Sequence, residues 1–202
     1  MPDALPDRRG LLVAVVGGSG VGKDTVMRAA GPLLPEACFV RRVITRPKEP
    51  NEEHEPVSQA EFERRERDGG FAVTWRAHGL AYGIPATVQE QVDFGELVIV
   101  NGSRRALEQI VRAFPRVATI EITAGTATRA ARLAARGREK RADIERRLAR
   151  EVPVDRRYAP LRVANDATVD EAAHAFAKAV RTAVSIGRRS GPATSHSFIG
   201  LS

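Results

Sequence analysis

The first regular element of the chain is an unbroken apolar run, Leu11-Leu12-Val13-Ala14-Val15-Val16. No polar residue alternates within it, which predicts a strand buried on both faces, as in a parallel sheet. Residues 39–44, 97–100 and 117–122 read as further strands, and residues 158–163 lead to a short one that ends at Asn165-Asp166. Helical patterns lie between them. One runs from Lys23 to about Leu34 and is stopped by Pro32 and Pro35. Others cover about 85–94, 104–113, 126–136 and 144–150, with Gly137 and Pro153 as breaks. Ser58-Gln59-Ala60-Glu61 is a capping box that opens a polar helix to about Asp68, ended by Gly69-Gly70. Residues 71–75 and 80–84 are short strands around a turn at His78-Gly79, and 45–57 is a polar loop. The last helix, 169–185, places Ala172, Ala175, Phe176, Ala179, Val180 and Ala183 on one side.

Strands alternating with helices predict an α/β fold, a parallel sheet flanked by helices on both faces. Residues 1–10 read as a loose leader, 11–186 as one domain, and the Gly/Ser/Arg/Pro-rich stretch 187–202 as a disordered tail. Two segments differ in texture from the alternating core. One is an insertion at about 45–90, the other an arginine-rich break at about 136–145.

The first strand runs into Gly17-Gly18-Ser19-Gly20-Val21-Gly22-Lys23-Asp24-Thr25. Strand, G-x-x-x-x-G-K and helix in that order form a phosphate-binding loop. Backbone N–H groups cradle the phosphates, the helix dipole favours the anion, and Lys23 reaches the terminal phosphates. Asp24 stands where a hydroxyl usually serves Mg²⁺, with Thr25 one place later. Asp24 is either a metal-side carboxylate, directly or through water, or a favourable acid in the first helical turn.

Composition narrows the classes. The 202 residues carry a net charge of +7, with aromatics at only 5%. Of 32 basic residues, four are lysine, leaving 32 − 4 = 28 arginines. Arginine suits a multiply phosphorylated small molecule, although Arg-rich codon usage gives the same count. Without aromatic-rich basic motifs, nucleic acid is not an expected partner. No apolar run reaches membrane-span length, no signal-peptide core is present, and Cys38 is the only cysteine, so a cytoplasmic monomer or homodimer is expected.

A phosphate loop, an acceptor insertion and an arginine-rich lid form the layout of a nucleoside-monophosphate-kinase-like phosphotransferase. Arg42-Val43-Ile44-Thr45-Arg46-Pro47, Gly79-Leu80-Ala81-Tyr82-Gly83, Arg132–Arg138 and Asn165-Asp166 resemble guanylate kinases over roughly residues 11–185. In that family a Glu in the strand before the tyrosine reads guanine; here the position is Val73. Closer similarity is to the bacterial ribose 1,5-bisphosphate phosphokinases of phosphonate breakdown. It is carried by Gly22-Lys23-Asp24, Arg42-x-Ile44-Thr45-Arg46, Trp75-Arg76-Ala77-His78-Gly79-Leu80-x-Tyr82-Gly83, Val100-Asn101-Gly102-Ser103-Arg104, Arg136-Gly137-Arg138-Glu139 and Asn165-Asp166. The resemblance implies ATP and Mg²⁺ as co-substrate and cofactor, ribose 1,5-bisphosphate as acceptor and 5-phospho-α-D-ribose 1-diphosphate as product. An altered nucleoside monophosphate kinase is the alternative.

Residue roles follow from that resemblance. Gly17 to Thr25 and Asn165 are expected at ATP, with Asp24 and Thr25 on the metal side. Arg42, Arg46, His78, Tyr82, Asn101, Ser103 and Arg104 are expected at the acceptor. A turn histidine remains open for His78, and a turn and helix cap for Ser103. Lys23, Arg136 and Arg147 are expected to act on the transferring phosphoryl group, with Arg132 and Arg138 beside them. The Glu52-Glu53-His54-Glu55 cluster suits no zinc spacing and is read as a solvated loop.

Overall fold

The computed structural model describes residues 10–47, 53–135, 148, 153–158, 160–189 and 197–198. The apolar run forms β1 (Leu11–Val16), buried at every position. It pairs in parallel with β7 (Leu97–Asn101) on one side and β8 (Arg116–Thr123) on the other. β2 (Ala37–Val40) extends the sheet beyond β7. The far edge of β8 takes two short partners at different heights, β10 (Ser197–Phe198) at Arg116–Val117 and β9 (Leu161–Ala164) at residues 120–123. The order is therefore β2-β7-β1-β8, with β9 and β10 sharing the last edge.

Strand alternation divides the interior in two. Leu11, Val13 and Val15 face α1 (Lys23–Ala30) and the long helix α6 (Val169–Arg189), where Phe176 is fully buried. Leu12, Ala14 and Val16 face the other way, toward α3 (Thr87–Asp93) and α4 (Leu107–Ala113). A parallel sheet covered on both faces needs apolar residues at every position of its central strand, which is what the run 11–16 supplies.

A second sheet, ordered β4-β3-β6-β5, is built from the insertion. β3 is Arg42–Ile44, β4 is His54–Pro56, β5 is Phe71–Ala77 and β6 is Leu80–Pro85. One of its faces is covered by α2 (Gln59–Arg67), whose Phe62 is fully buried with Val43 and Ala81 and stacks on Phe71 at 4.6 Å. The opposite face sends Val73, Trp75 and Ile84 into the core of the main sheet. Ser58 caps α2 by accepting from the Glu61 N–H at 3.1 Å. Glu61 in turn takes Arg64 and Arg65, which hold its carboxyl down at about 2.

Four boundaries differ from the sequence reading. The strand expected at 39–44 is two strands in different sheets, divided at exposed Arg41, because β2 follows β7 while β3 turns away to pair with β6. The first α-helix closes at Ala30; Gly31–Leu33 continues as a tighter turn around Pro32. The loop expected at 45–57 contains β4, a parallel partner of β3. Its His54 is 3% exposed and its Nε2 lies 3.3 Å from the Arg46 carbonyl oxygen, so the histidine leaves the solvated cluster expected there, while Glu53 and Glu55 are exposed. Glu53 pairs instead with Arg41 and Glu55 with Arg65. At the end of the chain, α6 continues to Arg189 and Ser197–Phe198 pair with β8.

Truncating Phe176 removes the largest side chain between α6 and the sheet. The Phe176→Ala protein is expected to lose about 3–5 kcal/mol of stability, read from urea unfolding followed by far-ultraviolet circular dichroism. A loss under 1 kcal/mol would contradict the packing described.

Candidate active site

The loop between β1 and α1 is shaped by two close approaches. At Gly17 (φ +151°) a Cβ would lie 2.3 Å from the Ile122 carbonyl oxygen. At Gly22 (φ +86°) it would lie 2.6 Å from Asn165 Nδ2. Neither position has room for a side chain, and both backbones are of the kind glycine adopts without strain.

The loop carbonyls are held by side-chain donors. Arg129 Nε donates to Ser19 O at 2.9 Å, and Asn165 Nδ2 donates to Val21 O at 2.7 Å. Arg132 Nη1 reaches the same Val21 oxygen at 3.4 Å. In a planar trans peptide the N–H points opposite to its own carbonyl. Fixing the Ser19 and Val21 oxygens therefore turns the Gly20 and Gly22 N–H groups to the other side, as an anion nest requires. Lys23 Nζ donates to Gly17 O at 2.9 Å and to Gly18 O at 3.4 Å, so the ammonium lies against the start of the same loop.

Arg129 and Arg132 are three residues apart on α5 (Thr126–Ala135), hence on one face of it. The start of α5 is tied down by Asp166, whose Oδ1 accepts from the Gly125 N–H at 2.7 Å and from Thr128 Oγ1 at 3.0 Å. The Gly125 amide first, then Thr128, lower the Asp166 pKa below the ordinary carboxylate value. Asn165 and Asp166 thus form a clip after β9: the first grips the phosphate loop, the second the helix that carries its arginines. Asn165, expected near ATP, is 2% exposed and lies behind the loop.

Asp24 meets Asn101. The backbone bond from Gly102 N to Val15 O (2.8 Å) continues the register of β7 on β1 past its end. That brings Asn101 beside the first turn of α1, where its Nδ2 donates to Asp24 Oδ1 at 2.6 Å. Ser103 caps a short turn, its Oγ accepting from the Arg105 N–H at 3.3 Å. Arg104 lines a cleft of about 460 Å³ together with Val21, Glu121, Arg129, Pro153 and Arg162. Glu121 is 6% exposed and ion-pairs with Arg162 at 3.1 Å.

In the second sheet, Tyr82 on β6 stands opposite Ile44 and Trp75. Its ring stacks on Trp75 with centroids 5.2 Å apart, and the Arg42 guanidinium lies 5.8 Å from the tyrosine centroid. Thr45 Oγ1 accepts from the Ala81 N–H at 2.8 Å, and the Thr45 N–H donates to Ala81 O, tying the segment that leads to Arg46 onto β6. Val73 is 5% exposed in the apolar cluster. Glu66, the carboxylate nearest β5 in the hydrogen-bond network, is engaged by Thr74 and Arg76. His78 is exposed at a two-residue hairpin tip with φ +53°, followed by Gly79 at φ +72°. Two consecutive left-handed residues are the hairpin geometry of a type I′ turn.

Lys23, Asp24, Asn165 and Asn101 therefore gather at the loop, Arg104 lines the cleft beside it, and Arg42 and Tyr82 share the second sheet. Arg136, Arg138 and Arg147 lie outside the described residues. Arg129 was not among the residues expected from sequence, yet it holds the loop. Its signal was its spacing of three from Arg132, which puts two arginines on one face of an alanine-rich helix. Glu121 was missed because a single acid at the end of an apolar strand has no pattern around it.

No family model matches the chain. It is 50% identical over 173 residues, 84% of this chain and 91% of the relative, to the ribose 1,5-bisphosphate phosphokinase PhnN of Acidiphilium cryptum. It is 47% identical over 151 residues, 73% of this chain and 79% of the relative, to the protein of the same name from Brucella melitensis. A bifunctional ribose 1,5-bisphosphokinase-thymidine phosphorylase of Cupriavidus pinatubonensis shares 41% identity over 92% of this chain, which spans 31% of that longer protein. Among solved structures, guanylate kinase from Anaplasma phagocytophilum superposes with a TM-score of 0.64 at 16% identity, covering 88% of each chain. That likeness shows the fold.

Two outcomes follow from the clip. Asn165→Ala leaves the Val21 carbonyl to Arg132 alone at 3.4 Å, and ADP affinity is expected to fall about 5- to 10-fold, the worth of one buried hydrogen bond, in a fluorescence titration. Unchanged affinity would mean the loop holds its shape without Asn165. Because the Asp166 pKa is lowered in the fold, its contribution to stability is complete above its ordinary value of about 4 and is lost as pH falls through the lowered one. The Asp166→Asn protein should lose less of its melting temperature than the parent between about pH 5 and pH 3; an equal loss would dismiss this contribution.

Proposed function

The chain belongs to the ribose 1,5-bisphosphate phosphokinase family, and on that premise we propose that it transfers the γ-phosphoryl group of ATP to ribose 1,5-bisphosphate, giving ADP and 5-phospho-α-D-ribose 1-diphosphate. An oxygen of the acceptor's 1-phosphate attacks the γ-phosphorus, the bond from that phosphorus to the bridging β,γ-oxygen breaks, and ADP leaves. A phosphate with its second pKa near 6 is largely dianionic at neutral pH, so no general base is required. The chemical task is to bring two anions together, hold them in line and exclude water.

The chain's residues suit that task. The Gly17–Gly22 amides and Lys23 take the β- and γ-phosphates, with the loop carbonyls held from behind by Arg129 and Asn165. Arg42, Arg46 and Tyr82 take acceptor phosphate, with Arg104 reaching it from the end of β7. His78 and Ser103 are assigned to the acceptor on sequence grounds, as Arg136 and Arg147 are to the transferring phosphoryl group. Asp24 and Thr25 offer the hard oxygens that Mg²⁺ takes, and Asn101, whose Nδ2 donates to Asp24, keeps a buried Oδ1 without a hydrogen-bond partner among the described residues. Bound there, the ion neutralises charge on the β- and γ-phosphates. The catalytic unit is residues 11–186, with the acceptor insertion at 45–90 and the lid at 136–145. It works in the cytoplasm on small phosphorylated molecules, as a monomer or homodimer and without nucleic acid. Among the described residues, no helix is long and apolar enough to cross a membrane.

The observation that carries the choice of acceptor is Val73. A purine needs hydrogen-bond partners, and losing one such partner costs several kcal/mol of discrimination. An isopropyl group packed among Trp75, Ile84 and Val88 has none to offer.

Phosphorus NMR of the purified protein with Mg-ATP tests the reading. Ribose 1,5-bisphosphate should yield an anomeric diphosphate, and Lys23→Ala should slow its formation on the order of 10²- to 10³-fold. GDP formed from GMP at a comparable rate would replace this reading with a nucleoside monophosphate kinase.

A further inference from the structure

Phosphate-loop enzymes commonly hold Mg²⁺ with a hydroxyl from the residue after the loop lysine and a carboxylate from the end of a neighbouring strand. In this chain the two positions are filled the other way round. The residue after Lys23 is the acid Asp24, and the neighbouring strand β7 ends in the neutral Asn101. The two side chains touch, Nδ2 to Oδ1, at 2.6 Å. A carboxylate only accepts, so this contact fixes which end of the amide is nitrogen. Asn101 is 4% exposed, and its remaining oxygen is buried with no hydrogen-bond partner among the described residues. An orphaned buried amide oxygen is costly unless something takes it. Amide and carboxylate oxygens are the ligands that hard divalent cations take.

We propose that Asp24 and Asn101 form a transposed magnesium site. The single carboxylate has moved from the strand end to the helix start, and Asn101 is the positioning residue that orients it and presents Oδ1 to the ion or to one of its waters. The amide is required because a second carboxylate 2.6 Å from the first would repel it and force one of the two to take a proton. The site keeps one negative charge, as in the commoner arrangement, with the acid and neutral partners exchanged. This rests on Asp24 standing on the metal side, as read above, but asks a separate question of Asn101.

The test measures ADP affinity by calorimetry in Mg²⁺ and in EDTA, with bound Mn²⁺ counted by electron paramagnetic resonance. The ratio of the two affinities is the metal-dependent increment. Asp24→Asn and Asn101→Leu should each reduce that increment about 10- to 100-fold, and Asn101→Leu should do so while ADP affinity in EDTA stays near the parent value. The reciprocal exchange, Asp24→Asn with Asn101→Asp, restores one carboxylate and one amide in contact and should recover most of the increment and the bound Mn²⁺. An undiminished increment in Asn101→Leu, or a double variant no better than Asp24→Asn, overturns the proposal. So does loss of ADP affinity in EDTA by Asn101→Leu, which would make Asn101 a prop for the loop. If the parent failed to bind ADP both in Mg²⁺ and in EDTA, the nucleotide reading of the loop would fall instead.

Discussion

A peptide carbonyl cannot face an anion, and this constraint shapes most of the chain around residues 17–22. For a loop to show N–H groups to phosphate, its oxygens must be turned away and satisfied elsewhere. Here the donors come from far along the sequence: Arg129 is 110 residues beyond Ser19, and Asn165 is 144 beyond Val21. Burying a guanidinium is expensive in itself. Arg129, at 6% exposure, is tolerated because it lands on a carbonyl dipole in a site meant to receive negative charge. Those donors depend in turn on the turn after β9, where Asp166 fixes the start of α5 and Asn165 reaches the loop. The carboxyl half of the chain therefore functions as the back wall of a motif written in its first 25 residues.

The main sheet was legible because a strand buried on both faces is mostly apolar: residues 11–16 and 97–100 are wholly so, and 117–122 is broken only by Thr119 and Glu121. What the pattern could not convey was membership of a sheet. Residues 39–44 are apolar throughout apart from Arg41 and Arg42, yet β2 joins the parallel sheet and β3 the second, mixed one. β4 was hidden for a related reason: an edge strand of three residues is held by backbone bonds, which leave little mark on side-chain choice. At the site, the glycines and lysine were readable from spacing because the backbone conformation demands them. Asn165 was legible only as part of a recurring pair, and its grip on Val21 depends on how β9 is placed against β8.

The insertion uses both faces of its sheet for packing. Its sheet uses one face to bury Phe62 and Phe71 under α2 and the other to close the apolar core with Val73, Trp75 and Ile84. The inward face of β5 is thus already occupied by packing. A carboxylate at position 73 would require a hydrogen-bonding partner to remain charged there; a valine requires only neighbours. The inner strand β6 of the same sheet keeps Tyr82 between Trp75 and Arg42, an aromatic ring fixed in orientation by stacking with a guanidinium held over its face. Such an arrangement is indifferent to a base and well suited to an anionic group.

Charge placement completes the argument about chemistry. Among the described residues around the loop and its cleft, the arginines and Lys23 outnumber the acids, and each acid has an assigned partner. Glu121 is tied to Arg162, Asp166 to the Gly125 amide and Thr128, and Asp24 to Asn101. Each of these carboxylates already holds the donor beside it, and Asp166 is pushed below the ordinary carboxylate range by the Gly125 amide first and then Thr128. A hydroxyl acceptor would need a base, and the described site has none poised for it. An acceptor that arrives as a phosphate dianion needs cations on both sides of the transfer and a rigid frame between them, and the back wall of Arg129, Arg132 and Asn165 is the part of that frame the fold supplies.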